Sequence, residues 1–304
     1  MPFRAFADIV SNMGKTREGR NRKPFRAAII ALFAALHVSF GLQPAQALPE
    51  GGAASDGIVV HFIDVGQGDA TLIQSGGANV LIDGGDRATA GALVRYLKEA
   101  GVSEIAYVVA THPHSDHIAG LVSVINEFRV AAVIMPRAAH TSVTFERFLD
   151  AIEKNGVPVI EPVPGKKLNA GGAVLTIAAP NGSGYRNLNN YSVSVLVTHG
   201  KTGFLFTGDA ERESEAEIIA NGIDVSAQVL HVGHHGSDTG TTRPFLDSVS
   251  PTIAVISVGK NNSYGHPSAE IVGRLEDSGV AVYRTDRDGT VVISGDGISL
   301  TVRR

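Results

Sequence analysis

Four side chains able to bind a metal fall within six residues at His112-Pro113-His114-Ser115-Asp116-His117. The segment follows the apolar run Ile105–Ala110 and leads into His117–Phe128, where apolar residues recur at helical spacing. A buried strand that ends in such a cluster, and a helix that starts from it, leave few architectures open, because the cluster must lie at the strand's carboxyl end. His112 and His114 are two apart, so in an extended segment they point the same way and can share one ion. Asp116 and His117, at the turn into the helix, can face a second ion beside the first. A His-rich solvated loop is the alternative, and the strand-to-helix context argues against it. The chain has no cysteine. Disulfides and thiolate ligands are therefore excluded, and any metal must sit on imidazole and carboxylate groups.

The rest of the chain reads as an α/β protein. Ile58–Val65, Ala70–Gln74 and Asn79–Asp83 have strand character, with Ser75-Gly76-Gly77 as a hairpin turn. Thr89–Ala100 is a helix closed by Gly101, Ala132–Met135 a strand and Ser142–Asn155 a helix. A second cycle runs through strands Ala173–Ala178, Ser192–Thr198 and Phe204–Thr207, helix Glu211–Asn221 and strand Gln228–Val232. The two cycles echo each other. Val80-Leu81-Ile82-Asp83-Gly84-Gly85, a helix, a strand and the histidine cluster correspond to Phe204-Leu205-Phe206-Thr207-Gly208-Asp209, a helix, a strand and Gly233-His234-His235-Gly236. Two such halves facing each other would bring both His-rich loops to one edge. Strand Thr252–Val258, helix Ser268–Asp277 and strands Val280–Arg284, Thr290–Ser294 and Ile298–Val302 complete the chain without a second domain.

The first 47 residues have a different composition. Seven basic residues (Arg4, Lys15, Arg17, Arg20, Arg22, Lys23, Arg26) precede the apolar run Ala27–Leu42 and Pro44-Ala45-Gln46-Ala47. That order matches a secretory signal cleaved after Ala47, with an uncleaved membrane anchor as the alternative. Residues 48–57 are a flexible linker, and 58–304 the folded domain. Removing residues 1–47 takes away those seven basic side chains and two acidic ones, Asp8 and Glu18, moving the net charge from −4 to −9. So acidic a protein has no bulk attraction for nucleic acid or anionic lipid. Tryptophan is absent and the basic residues are scattered, so no stable nucleic-acid-binding patch is evident.

The cluster His112-Pro113-His114-Ser115-Asp116-His117 resembles the HxHxDH motif of the metallo-β-lactamase superfamily, with every position filled. His61 to Ala70, Asn190-Tyr191-Ser192, Thr207-Gly208-Asp209, His234-His235-Gly236-Ser237 and Tyr264-Gly265-His266-Pro267-Ser268 are similar to the branch containing the soluble hydrolase domain of ComEC-type DNA-uptake proteins and bacterial phosphorylcholine esterases. The resemblance implies a four-layer αββα sandwich, two mixed β-sheets packed face to face with helices outside. It also implies a centre for two divalent metals, Zn²⁺ or, at an oxygen-rich site, Mn²⁺. Asp209 would bridge them. Asp116, His117 and His266 would hold one ion, and His112, His114 and Asp209 the other. Many family members place a further histidine upstream of the bridging aspartate, where this chain has Leu188-Asn189-Asn190-Tyr191-Ser192. Water, Asn190 or His235 would fill that position. His199 is read as a turn residue.

His234 and His235 are adjacent, and side chains alternate along an extended strand, so one of the pair should face the metals. It would serve as a ligand or as a donor to a phosphate oxygen or leaving group. Asp116, His234 and His235 are the candidate catalytic residues. Asp83 should accept a hydrogen bond from a ligand histidine, with Asp64 and Asn190 as further supporting groups. Asp64, Gln67 and Asp69 either approach the same cleft or form a structural hairpin. Two metals bridged by a carboxylate lower the pKa of a bound water and polarise the scissile group, which predicts hydrolysis. The resemblance favours a phosphodiester, in DNA or in a phosphorylated surface or small molecule. A β-lactamase or lactonase, or a metal-binding module with little turnover, are the rivals. The export reading places the protein in the periplasm or outside the cell.

Overall fold

A computed structural model of the chain describes residues 57–304. The signal or anchor (1–47) and nearly all of the linker (48–57) lie outside the described residues. Alternating burial in Ile58-Val59-Val60-His61-Phe62 starts the first sheet. Its strands are β1 (Ile58–Phe62), β2 (Thr71–Ser75), β3 (Ala78–Ile82), β4 (Glu104–Val109), β5 (Arg129–Ile134) and β6 (Val159–Ile160), together with β14 (Val291–Gly295) and β15 (Leu300–Arg303) from the carboxyl end of the chain. They lie in the order β15-β14-β1-β2-β3-β4-β5-β6. The second sheet contains β7 (Lys167–Ala170), β8 (Ala173–Ala179), β9 (Ser194–His199), β10 (Thr202–Phe206), β11 (Val229–His231), β12 (Ile253–Ile256) and β13 (Ala281–Arg284), in the order β13-β12-β11-β10-β9-β8-β7. Both sheets are mixed. β3 to β6 and β10 to β13 run parallel, and the other pairs are antiparallel.

The inner faces of the two sheets pack on each other through Phe62, Ile73, Ile82 and Val109 from the first and Leu175, Val195, Phe204 and Phe206 from the second. The rings of Phe62 and Phe206 meet with centroids 5.9 Å apart. The outer faces are apolar as well and need helices to cover them. On the first sheet these are α1 (Ala90–Glu99), α2 (Ser115–Ile118), α3 (Leu121–Glu127) and α4 (Val143–Lys154). On the second, α5 (Arg212–Asn221), α6 (Arg243–Val249) and α7 (Ala269–Asp277) bury Ile218, Phe245, Leu246, Ile271 and Leu275 against Leu205 and Leu230. A single turn, α8 (Thr285–Asp288), links β13 to β14. This is the four-layer αββα arrangement.

The expected internal echo corresponds to a repeated geometry. A β2–β3 hairpin leads through α1 to β4, parallel to β3, and a β9–β10 hairpin leads through α5 to β11, parallel to β10. The His-rich loops follow β4 and β11 and leave the sheets at the same edge. Several elements differ from expectation. The first strand stops at Phe62, because Asp64 to Gly68 turn toward the histidine cluster. The helix expected at His117–Phe128 is broken at Ala119-Gly120, where Gly120 meets the Asp83-Gly84-Gly85 turn: a Cβ there would lie 1.9 Å from the Gly84 carbonyl oxygen. The short strands β6 and β7, and the helices α6 and α8, carry too few apolar residues in period to stand out from sequence.

Candidate metal centre

Two aspartates leave the ends of corresponding strands and converge on one histidine. Asp83 follows β3 in a left-handed conformation (φ 57°), and Asp209 follows β10 behind Gly208 (φ 52°). A side chain on Gly208 would put its Cβ 2.8 Å from Thr111 Cβ, so only glycine lets the two halves approach this closely. His117 lies between the aspartates. Its Nδ1 faces Asp83 Oδ2 at 2.8 Å and its Nε2 faces Asp209 Oδ1 at 3.2 Å. All three side chains are buried.

Around Asp209 the other histidines form two clusters. On one side His112 Nε2 lies 3.5 Å from Asp209 Oδ2 and 2.9 Å from His114 Nδ1. On the other, His235 Nε2 lies 3.8 Å from Asp209 Oδ1 and 3.4 Å from Asp116 Oδ2, which is itself 3.9 Å from His117 Nε2. The ligand atoms of His112, His117 and Asp209 lie within 4.8 Å of one another, as do those of Asp116, His117 and His235. Asp209, with an oxygen toward each cluster, is placed to serve both.

The polar atoms at the centre face one another without hydrogen bonds. His117 Nε2, His235 Nε2 and Asp209 Oδ1 are buried without a hydrogen bond, an arrangement that costs free energy unless something joins them. The charge balance points the same way. Burial opposes protonation of His117, but the carboxylates of Asp209, Asp83 and Asp116 outweigh it and hold the ring's pKa well above its ordinary value. For His235 burial is likewise outweighed, by Asp209 and Asp69. Burial would raise Asp209, yet His117, His235 and His112 hold it well below the usual carboxylate range. His112 goes the other way, lowered by burial and by neighbouring His117. The pocket thus demands positive charge where imidazole and carboxylate lone pairs converge, and divalent cations meet that demand.

A second layer of contacts fixes the ring tautomers. Thr111 Oγ1 donates to Asp83 Oδ2 (2.7 Å) and so can accept from His112 Nδ1 (3.1 Å). Asp83 thereby turns Nε2 of both His117 and His112 toward Asp209. His235 Nδ1 donates to the Ser257 carbonyl (3.0 Å) and lies 3.2 Å from Asp69 Oδ1. Ser192 Oγ accepts from the Asp209 amide (3.1 Å).

The remaining expected residues take other places in and around the cleft. His266 belongs to no group of converging ligand atoms among the described residues. Its ring stacks on Tyr264 and abuts His234, because Asn262 pins the loop that carries it. The position expected of His266, beside Asp116 and His117, is occupied by His235. The geometry of the pair also departs from the extended expectation. His234 (φ 51°) and His235 (φ 54°) are both left-handed, so adjacent side chains reach the same centre, His235 from below and His234 from the cleft wall, its Nε2 3.8 Å from Asp209 Oδ2. Asn190 turns away: its Oδ1 accepts from the amides of Glu211 and Ser214 at the start of α5. Its neighbour Asn189 faces the cleft instead. Asp64 is a turn residue, its Oδ1 accepting from the Gly66 amide (3.0 Å). Gln67 lines the cleft, and Asp69 supports the centre from behind His235. Asn189 was named only within the stretch that stands where many relatives carry a histidine, and His140 lies in no motif; the fold brings both to the cleft wall.

This is a metal-dependent hydrolase centre on an αββα sandwich. The model of the metallo-beta-lactamase superfamily matches residues 63–260, and the chain belongs to that superfamily. It is 29% identical over 252 residues to ComE operon protein 3 of Bacillus subtilis, covering 76% of this chain and 32% of that protein. It is 30% identical over 240 residues to Recombination protein 2 of Haemophilus influenzae, covering 77% and 28%. The chain thus spans about a third of the length of these relatives. Among solved structures, a metallo hydrolase from Ignicoccus hospitalis, Igni18, shares the fold with a TM-score of 0.53 at 18% identity, covering 77% of this chain and 98% of that one.

Proposed function

We propose that the protein is an exported phosphodiesterase with two divalent ions, Zn²⁺ or, on the His112–His114 side, Mn²⁺. The observation that carries this reading is the lining of the cleft above Asp209. The cleft has a volume of about 450 Å³ and offers Ser115, His140, Ser142, Thr144, Asn189 and His234, with no lysine or arginine among the described residues that line it. A β-lactam carries a carboxylate remote from its scissile bond, which a cationic side chain would normally hold. A phosphodiester carries its single charge at the scissile group itself, directly over the metal ligands. The substrate is a nucleic-acid diester or a small phosphorylated molecule; the recombination in the name of one relative agrees with the former.

His112 and His114, with Asp209, would hold one ion, and Asp116, His117 and His235, with Asp209, the other. Bound there, divalent ions lower the pKa of water and polarise the phosphorus–oxygen bond. The protein's own groups then orient the diester. His234, held by Thr239 Oγ1 (2.9 Å) and flanked by Glu211 (3.5 Å), faces the cleft as a donor to a phosphate or leaving-group oxygen. Asn189 lies 3.4 Å from His234 Nε2 on the same wall.

Turnover of bis-p-nitrophenyl phosphate set beside nitrocefin, with metal content measured on the same sample, tests the reading. Diester cleavage in proportion to bound metal is expected. Nitrocefin turnover without diester cleavage would make the protein a lactamase, and metal without either activity a binding module. For export, a mature amino terminus near Leu48 on protein from the cell envelope is expected; intact Met1 on membrane-bound protein would indicate an anchor.

A further inference from the structure

One wall of the cleft is a row of rings that runs from solvent to the metal ligands. Tyr264 is 68% exposed at the mouth, the most exposed aromatic residue on the described surface. Its ring lies nearly parallel to that of His266, with centroids 5.9 Å apart and planes inclined by 13°. His266 meets His234 at 5.6 Å, and His234 meets His235 at 6.2 Å. A single exposed aromatic ring is ordinary on a protein surface; what sets Tyr264 apart is its place in the lining of the cleft, in line with His266 and His234.

The loop that presents Tyr264 is held firmly. Asn262 Oδ1 accepts from the amides of Tyr264 and His266 (both 3.1 Å), and its Nδ2 donates to the carbonyls of Gly259 (3.0 Å) and His266 (2.6 Å). Gly259 in turn donates its amide to Gln67 Oε1 (3.1 Å), tying the loop to the other half of the molecule. A platform fixed in this way loses little conformational freedom when a ligand settles on it. The ring of His266 lies nearly parallel beside that of Tyr264, and most of the Tyr264 side chain is exposed.

We infer that Tyr264, backed by His266, is a stacking platform for a planar ring attached to the scissile phosphodiester. The inference rests on the phosphodiesterase reading and narrows it to substrates carrying a flat aromatic group beside the bond. A quaternary ammonium group is the competing occupant of aromatic sites, but it is held by several ring faces around it, and Tyr264 offers one. The role also accounts for His266, which supports the platform and does not join the ligand clusters.

The test compares a decathymidylate strand with an abasic strand of equal length and charge, using metal-loaded protein and following both kcat/KM and calorimetric binding. Removing an aromatic platform typically weakens binding of each stacked base by about 5- to 100-fold. The preference for thymidylate over abasic strand, read as the ratio of the two values, should collapse by that order in Tyr264→Ala and persist in Tyr264→Phe. An unchanged ratio in Tyr264→Ala would overturn the inference, as would a Tyr264-dependent preference for glycerophosphorylcholine, a diester with a quaternary ammonium and no flat ring, over both strands. If the native protein cleaves no diester, the phosphodiesterase reading fails, and the binding ratio for the same two strands still decides on the platform.

Discussion

Asp83 touches neither cleft nor substrate, yet replacing it with asparagine should weaken both metal sites. The carboxylate is fully buried and accepts three hydrogen bonds: from the Thr111 amide at Oδ1 (2.9 Å), and from Thr111 Oγ1 (2.7 Å) and His117 Nδ1 (2.8 Å) at Oδ2. An amide of the same shape has one accepting oxygen. If that oxygen takes the Oδ1 position, the NH₂ group faces His117 Nδ1, which must then accept, and the ring proton moves to Nε2, the atom that faces Asp209. If the amide is flipped, NH₂ meets the Thr111 N–H, donor against donor. The Thr111 hydroxyl that orients His112 loses its acceptor in the first case, so the perturbation reaches both clusters. Losing a carboxylate behind a ligand histidine typically costs about 10- to 100-fold in metal affinity, equivalent to about 1.4–2.8 kcal/mol. Asp83→Asn leaves no cavity but leaves a buried donor without its acceptor, which typically costs about 1–3 kcal/mol in the metal-free protein; the loss of metal affinity should appear in competition titrations against a chelating dye, read beside the Tm of the metal-free variant. Affinity within twofold of the native value at both sites would refute the argument that Asp83 sets the tautomers.

His235→Ala should release metal under graded chelation as readily as His117→Ala, whereas His266→Ala should retain it; elemental analysis that ranks His266 with His117 would restore His266 as a ligand. His234→Ala should lower kcat on a phosphodiester by about 10²–10³, the usual worth of a donor acting in the transition state, with metal content near native; a near-normal rate would make His234 structural. Gly120→Ala would put a Cβ 1.9 Å from the Gly84 oxygen, so the α2–α3 joint must move away from the Asp83 turn. Overpacking of this kind costs about 1–3 kcal/mol, seen as a lower Tm, and should loosen metal as well.

Part of the centre was legible from residue order because it is local. His112, His114, Asp116 and His117 are spaced by the geometry of one strand end and one helix start, Asp83 stands in the glycine turn that follows a strand, and Asp209 was marked by the resemblance of Thr207-Gly208-Asp209 to the family pattern. Periodicity likewise marked the long strands and helices, since a buried face repeats every two or every 3.6 residues whatever it packs against. Short elements such as β6, β7 and α8 carry no full period and stayed invisible. Selection among distant candidates was a tertiary matter. Nothing in the order of residues separates His235 from His266 as the partner of Asp116 and His117, because the distinction depends on a left-handed backbone at His234 and His235 and on Asn262 holding the other loop away. Asn189 and Asn190 are adjacent, yet one faces the cleft and the other caps α5, a difference set by a single 3₁₀ turn. Asp69 could be read as a hairpin residue until the close approach of Gly68 to Asp116, where a Cβ would come within 2.3 Å of the backbone oxygen, brought it behind His235. The sequence by itself thus determined which chemical groups are available and which strand ends carry them. The packing of two sheets decided which of those groups converge, because ligand geometry is a property of distances between segments that the chain's local rules leave open.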